Sequence, residues 1–132
     1  MSEANKHDKD KVMMQLIPPS LYRELGKVLT HGAKKYGVNN WKKGLDYTRL
    51  AGAALRHMVA WMEGEDTDQE SDCPHIAHAV AALCFLLEYS TGQDTEMQKF
   101  DNRNTYYGNN QKKGSSNGEK TNIDNSKKVC GM

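Results

Sequence analysis

Residues Thr48 to Tyr89 read TRLAGAALRHMVAWMEGEDTDQESDCPHIAHAVAALCFLLEY, and this stretch decides the fold. In its first part Leu50, Ala54, Met58 and Trp61 share one helical face, while Leu55, Val59 and Met62 cover another. This predicts a helix from Thr48 to Glu63, ended by Gly64. A helix apolar on several sides belongs at the centre of a core. In the last part Pro74 suits a first helical turn. A second central helix then runs to Tyr89, apolar around most of its circumference through Ile76, Val80, Leu83, Phe85, Leu86 and Leu87.

Upstream, Leu21, Leu25, Val28, Leu29, Gly32 and Tyr36 follow Pro18-Pro19 at helical spacing and stop at Gly37. Val38 to Leu45 holds two asparagines and Gly44 and reads as a loop. No stretch alternates with period two. The expected fold is all-α, a small bundle of three main helices. Two of these are more apolar than three helices can cover, so a homodimer or homotetramer is expected to complete the burial.

The chain has 132 residues, enough for one domain, and only 37% of them are apolar. That low fraction is an average over three regions. Residues 1–13 are a polar segment and residues 14–93 the helical domain. Residues 94–132 form a tail rich in Asn, Gly, Lys and Ser, expected to be mostly disordered, with Phe100, Tyr106 and Tyr107 as its candidate anchors. The sequence shows no membrane-spanning run and no secretory apolar segment near its start. A net charge of +1 gives no field to draw the chain to DNA or to a membrane surface. Three irregularly spaced cysteines, Cys73, Cys84 and Cys130, argue against a disulfide framework and fit the cytosol.

The balanced charge hides two opposed segments. Glu63, Glu65, Asp66, Asp68, Glu70 and Asp72 follow one another without an intervening Lys or Arg. Repeated carboxylates at short spacing suit a hard divalent cation, although the spacing is not that of an EF-hand. A solvated acidic turn is the plainer reading. His75-x-x-His78 places two rings one helical turn apart, and His57 points inward from the preceding helix. Each alone reads as a hydrogen-bonded core histidine. Together, beside Glu65 and Asp68, they read better as a site. Cys73 with these histidines also raises a structural zinc, but the usual paired ligand spacing is missing.

The basic segment is HGAKKYGVNNWKKG, His31 to Gly44. Lysines meet phosphate as point charges, Asn can read a base edge, and Trp can stack on a base. The plainer alternative is a solvated loop pinned by Trp41. Arg56 either forms a surface ion pair or clamps a phosphate. Taken together, a carboxylate segment, a lysine loop and converging histidines fit divalent-metal chemistry on a nucleotide phosphate. A helical module that binds a nucleotide or a protein without turnover is the alternative.

Three stretches in order, LIPP (Leu16–Pro19), GAKKYGVNNW (Gly32–Trp41) and AALRHMVAWMEGEDTDQESDCPHIAHAVAALCFLLE (Ala53–Glu88), resemble the phage dATP/dGTP diphosphohydrolase family of MazZ-type enzymes, grouped with the all-α MazG-like nucleotide pyrophosphohydrolases. The resemblance implies hydrolysis of a purine deoxynucleoside triphosphate between its α and β phosphates, with Mg²⁺ or Mn²⁺. MazG enzymes carry E-E-x-x-E and E-x-x-D on successive helices; this chain has neither, so their metal set does not transfer. By match to the MazZ-like pattern, the resemblance implies Glu65, Asp68, Glu70 and His78 as metal ligands and Glu65, His75 and His78 as catalytic residues. It implies Lys34, Lys35, Asn40, Trp41, Arg56 and His57 for phosphate and base contacts. Asp72 stands where this pattern tends to have Gly, a turn change in the acidic loop, while Glu63 and Asp66 are expected to face solvent.

Overall fold

The computed structural model describes residues 4–108. They form helices α1 (Pro19–Tyr36), α2 (Tyr47–Met62), α3 (His75–Thr91) and a one-turn α4 (Arg103–Tyr106), with 3-10 turns at Met14–Leu16, Asn40–Lys43 and Thr95–Phe100. Among the described residues there is no strand, only an isolated antiparallel bridge between Thr67 and Pro74. The all-α expectation holds. No helix among these residues is long and apolar enough to cross a membrane.

Each main helix stops or starts where its sequence requires. Pro19 occupies the first helical position of α1, where its missing N–H costs nothing. Gly37 ends α1 with φ +94°, its amide 2.9 Å from the Ala33 carbonyl. Gly64, at φ +96°, ends α2 in a Schellman motif. There the Gly64 amide bonds the Trp61 carbonyl and the Glu65 amide the Ala60 carbonyl, both at 3.0 Å. α3 begins directly after Pro74.

α3 is the centre, with α1 and α2 both packed on it. Ala77, Ala79, Ala81 and Ala82 are buried and let both neighbours approach closely. Val28 and Leu25 of α1 meet Cys73, Ala77 and Ala81. Ala54 of α2, with Ala53 and Met58, meets Ala79 and Ala82. A third cluster closes the other end: Tyr47, Leu50 and Tyr89, flanked by Trp41, Leu45, Phe85, Leu86, Met97 and Phe100. Tyr89 is fully buried, and its hydroxyl donates to the Trp41 carbonyl.

The inward stripe expected on α2 is shorter than its periodicity implies. Leu50 and Ala54 are buried, but Trp61 is 45% exposed. Only α3 packs heavily against α2, and the last turn of α2 runs past that contact. Leu55, Val59 and Met62 of α2 are exposed as well, as are Ile76, Leu83 and Leu87 of α3. These are the apolar faces that the sequence assigns to a second subunit.

Residues 95–106 form the Thr95–Phe100 turn and α4 and fold back on the bundle. Phe100 lies over Gly44, so closely that a Cβ at Gly44 would sit 2.0 Å from its ring. Asn102 caps the start of α2: its Oδ1 accepts from the Thr48 amide at 3.1 Å and its Nδ2 donates to the Thr48 hydroxyl at 2.8 Å. Tyr106 and Tyr107, expected as anchors, are mostly exposed and pack edge to face on each other. The anchoring falls to Met97, Phe100 and Asn102. Cys130 and the rest of the polar tail expected to be disordered lie outside the described residues.

Candidate active site

α1 and α2 both lean on α3 and barely touch each other. The cleft between them is a cavity of about 940 Å³. Its walls are α1 from Val28 to Tyr36, the Gly37–Trp41 turn and α2 from Thr48 to His57, and α3 contributes His78, Ala81, Ala82 and Phe85. Asp68 and Glu70 reach it from the acidic loop, and Tyr106 from α4.

The acidic loop is closed on itself rather than solvated throughout. The Asp68 amide bonds the Cys73 carbonyl and the Asp72 amide the Asp68 carbonyl, both at 2.8 Å, and the His75 amide reaches the Asp66 carbonyl at 2.9 Å. Asp72 holds φ +60°, a left-handed conformation in which Gly is the easiest residue and Asp is tolerated. The closure turns Asp68 inward, while Glu63, Asp66 and Asp72 stay exposed.

Ser71 organises the carboxylate. Its hydroxyl lies 2.7 Å from Asp68 Oδ2 and its amide 2.9 Å from the same oxygen. Burial pushes the Asp68 carboxyl up, but these two donors, with His78 and His57 nearby, outweigh it and hold the group below its ordinary 3.8. An ionised carboxylate only accepts, so the Ser71 proton points at Asp68. Ser71 Oγ must then accept from His78 Nε2, 2.6 Å away. The chain runs His78 Nε2–H to Ser71 O–H to Asp68, and it leaves the His78 Nδ1 lone pair uncommitted.

The same logic fixes His75, the one buried polar residue of the described core. Its Nε2 lies 2.8 Å from Glu65 Oε1 and donates there. Its Nδ1 is therefore the acceptor nitrogen, and it faces His57 Nδ1 at 2.8 Å. The His57 ring stacks on His78 with centroids 4.5 Å apart and planes 9° apart. Burial, then the neighbouring His78 and His75 rings, hold His57 below the ordinary 6.5. Burial also lowers His78, against the opposing pull of Asp68. Both are neutral at pH 7.

His57, Asp68 and His75 each offer a ligand atom within 4.8 Å of the other two. Two imidazole nitrogens and one carboxylate oxygen are a donor set able to hold a divalent ion, and one richer in nitrogen than Mg²⁺ favours.

A sequence model of the family described as dATP/dGTP diphosphohydrolase, N-terminal, matches residues 1–99. This chain belongs to that family. Over 81 residues it is 38% identical to the dATP/dGTP diphosphohydrolase of Salmonella phage PMBT28, a match that covers 61% of this chain and 28% of the phage protein. The chain thus spans less than a third of the length of that curated relative. No solved structure matches.

In this member of the family, most of the sequence candidates meet at the cleft. Lys35, Asn40, Trp41, Arg56, His57, Asp68, Glu70 and His78 all line it. His75 and Glu65 stand behind them, outside the lining. Glu70 is taken by Lys35, which donates to its carboxylate. That pair is exposed, raising Lys35 and lowering Glu70. Lys34 is exposed and absent from the cavity lining, because one residue along α1 is a 100° rotation from Lys35. Trp41 spends one ring face on Phe85, stacked at 5.6 Å, which accounts for the pinning role of the turn.

Four contributors were not singled out by the sequence. Arg49 lies seven residues before Arg56 on the same side of α2, a spacing that could have flagged it. His31 precedes Lys35 by one turn in the same way. Asn39, at φ +59°, turns the backbone at the cavity mouth. Ser71 carries no signal outside the loop it closes.

Proposed function

We propose that this domain carries out metal-dependent hydrolysis of purine deoxynucleoside triphosphates, dATP or dGTP, to the monophosphate and pyrophosphate. The observation that carries this reading is one cleft in which Lys35, Arg49 and Arg56 face the same space as Asp68, His57 and His78. Its volume of about 940 Å³ suits a nucleotide. The family match and the name of the phage relative support the substrate class.

On this reading, Lys35, Arg49 and Arg56 neutralise the triphosphate, the arginines through paired donors. A divalent ion, when bound, adds charge neutralisation and makes a water more acidic. His78 is neutral and has a free Nδ1 lone pair, so it accepts a proton from the attacking water. Ser71 and Asp68 on the far side of its ring steady the imidazolium that forms. Water oxygen bonds to the α-phosphorus and pyrophosphate leaves. Tyr36, Tyr106 and the Asn39-Asn40 turn offer apolar and amide contacts for the base. We also infer that the exposed faces bearing Leu55, Val59, Leu83 and Leu87 join copies of the chain into a homodimer or homotetramer.

The test is a panel of dNTPs with Mg²⁺ and with Mn²⁺, with products separated by chromatography. The expected products are dAMP or dGMP and pyrophosphate. Tight binding by calorimetry with no product at high protein concentration would instead identify a binding module.

A further inference from the structure

The histidine–carboxylate cluster has the build of a metal site in two layers. In the inner layer, His57 Nδ1, His75 Nδ1 and an Asp68 oxygen lie within 4.8 Å of one another. The two Nδ1 atoms stand 2.8 Å apart. They need part by only about 0.5 Å to become two imidazole ligands at the ~2.0–2.1 Å bond length of a transition ion. A shift of the His57 proton to Nε2 frees its Nδ1 lone pair without any change in net charge.

The outer layer holds these ligands in place. Glu65 accepts from His75 Nε2–H, the carboxylate–histidine arrangement that fixes which nitrogen is free to bind an ion. Ser71 saturates Asp68 Oδ2 with two donors, and no hydrogen bond among the described residues engages Oδ1. Donor type then selects the ion. Mg²⁺ takes oxygen ligands and keeps its waters, whereas two imidazoles and a carboxylate suit first-row transition ions. The acidic loop contributes only Asp68 to this set, since Glu70 is engaged by Lys35.

We propose that His57, Asp68 and His75 bind a first-row transition dication such as Zn²⁺ or Co²⁺ in preference to Mg²⁺, with Glu65 and Ser71 positioning the ligands. The proposal rests on the hydrolase reading only for what the ion does, because binding is measured without turnover.

The experiment uses the untagged chain of 132 residues, stripped with chelator and titrated with Co²⁺ and then Zn²⁺. Co²⁺ absorption, calorimetry and elemental analysis after dialysis report the binding. One equivalent per chain is expected, retained against millimolar Mg²⁺. His75→Ala and Asp68→Asn should weaken binding at least 100-fold, Glu65→Gln about 10–100-fold, and Glu70→Gln not measurably. Should the His75 or Asp68 variants fail to fold, nitrogen NMR of the wild-type chain decides: Zn²⁺ must shift Nδ1 of His57 and of His75. No binding, displacement by millimolar Mg²⁺, or equal loss in Glu70→Gln would overturn the assignment. Zn²⁺ or Co²⁺ bound at these residues without hydrolysis of any dNTP would uphold the site and sink the hydrolase reading. Full hydrolysis with Mg²⁺ alone and no transition ion bound would do the reverse.

Discussion

Ser71 grips Asp68 twice, through its hydroxyl at 2.7 Å and its amide at 2.9 Å, both on Oδ2. The same hydroxyl accepts from His78 at 2.6 Å. Ser71→Ala keeps the amide bond but unties the hydroxyl from both partners. On the proposed mechanism it should lower kcat about 10–100-fold with little change in KM. Ser71→Thr keeps the hydroxyl and should restore most of the rate. Steady-state kinetics of both variants on the same dNTP checks this, and equal loss in the two would point to a packing role.

The proposed substrate contacts divide along α1 and α2. Arg49 and Arg56 line the cleft, while Lys34 does not. Arg49→Ala and Arg56→Ala should each raise KM for the triphosphate by about tenfold or more, the loss of a charge-assisted contact. Lys34→Ala should leave kcat and KM within twofold of wild type. Inhibition by added pyrophosphate, measured on the same three variants, should weaken only for the arginine substitutions.

Gly44 combines φ +99° with the Phe100 ring against its Cα. Gly44→Ala therefore meets strain and overpacking together and should destabilise the fold by about 2–4 kcal/mol. Gly37 also has positive φ, at +94°, but open space around it. Gly37→Ala should cost only about 1–2 kcal/mol. Urea unfolding of the two variants separates the crowding at Phe100 from the backbone strain they share.

Acid should loosen the metal-free protein in a defined window. Burial holds His57 and His78 below 6.5, so the unfolded chain takes up protons on them first. Their contribution is complete above pH 6.5 and is lost as pH falls through their lower folded-state values. Asp68, held below 3.8, adds a further loss in stronger acid. Urea midpoints in chelator should be flat from pH 8 to 7 and then fall toward pH 5. A midpoint that rises over that interval would contradict the burial of these rings.

The exposed leucines of α3 offer a direct test of self-association. Leu83 and Leu87 are 53% and 63% exposed in a single copy. The double substitution Leu83→Glu, Leu87→Glu should convert a dimer or tetramer to monomer in sedimentation velocity at micromolar concentration, while the helical circular dichroism persists. A wild-type chain already monomeric under those conditions would remove the case for assembly.

The helices were legible because their punctuation is local. Pro18-Pro19, Gly37, Gly64 and Pro74 each act within a few residues: α1 starts at Pro19 and stops before Gly37, α2 stops before Gly64, and α3 starts after Pro74. Periodicity on α2 and α3 was less informative, since a helix apolar all round does not say which side a neighbour will take. Trp61 shows the cost of that ambiguity. His57, Asp68 and His78 were legible as chemistry, but their wiring was not. The role of Ser71 depends on the Asp72 backbone turn, and the pairing of Glu70 with Lys35 spans thirty-five residues. Periodicity does not encode either. Phe100 was legible as an anchor of residues 95–106, but its seat on Gly44 and the pairing of Asn102 with Thr48 were not, because both join residues more than fifty positions apart.

The two hydrogen bonds between Asn102 and Thr48 carry a practical corollary. The family match stops at residue 99, yet the first turn of α2 borrows its capping group from beyond that point. An autonomous folding unit cut from this chain, whether for fusion, for domain exchange among relatives or for crystallisation, has to run past Arg103. A cut at 99 would leave the Thr48 amide at the start of α2 without its side-chain partner and strip the Phe100 ring from Gly44.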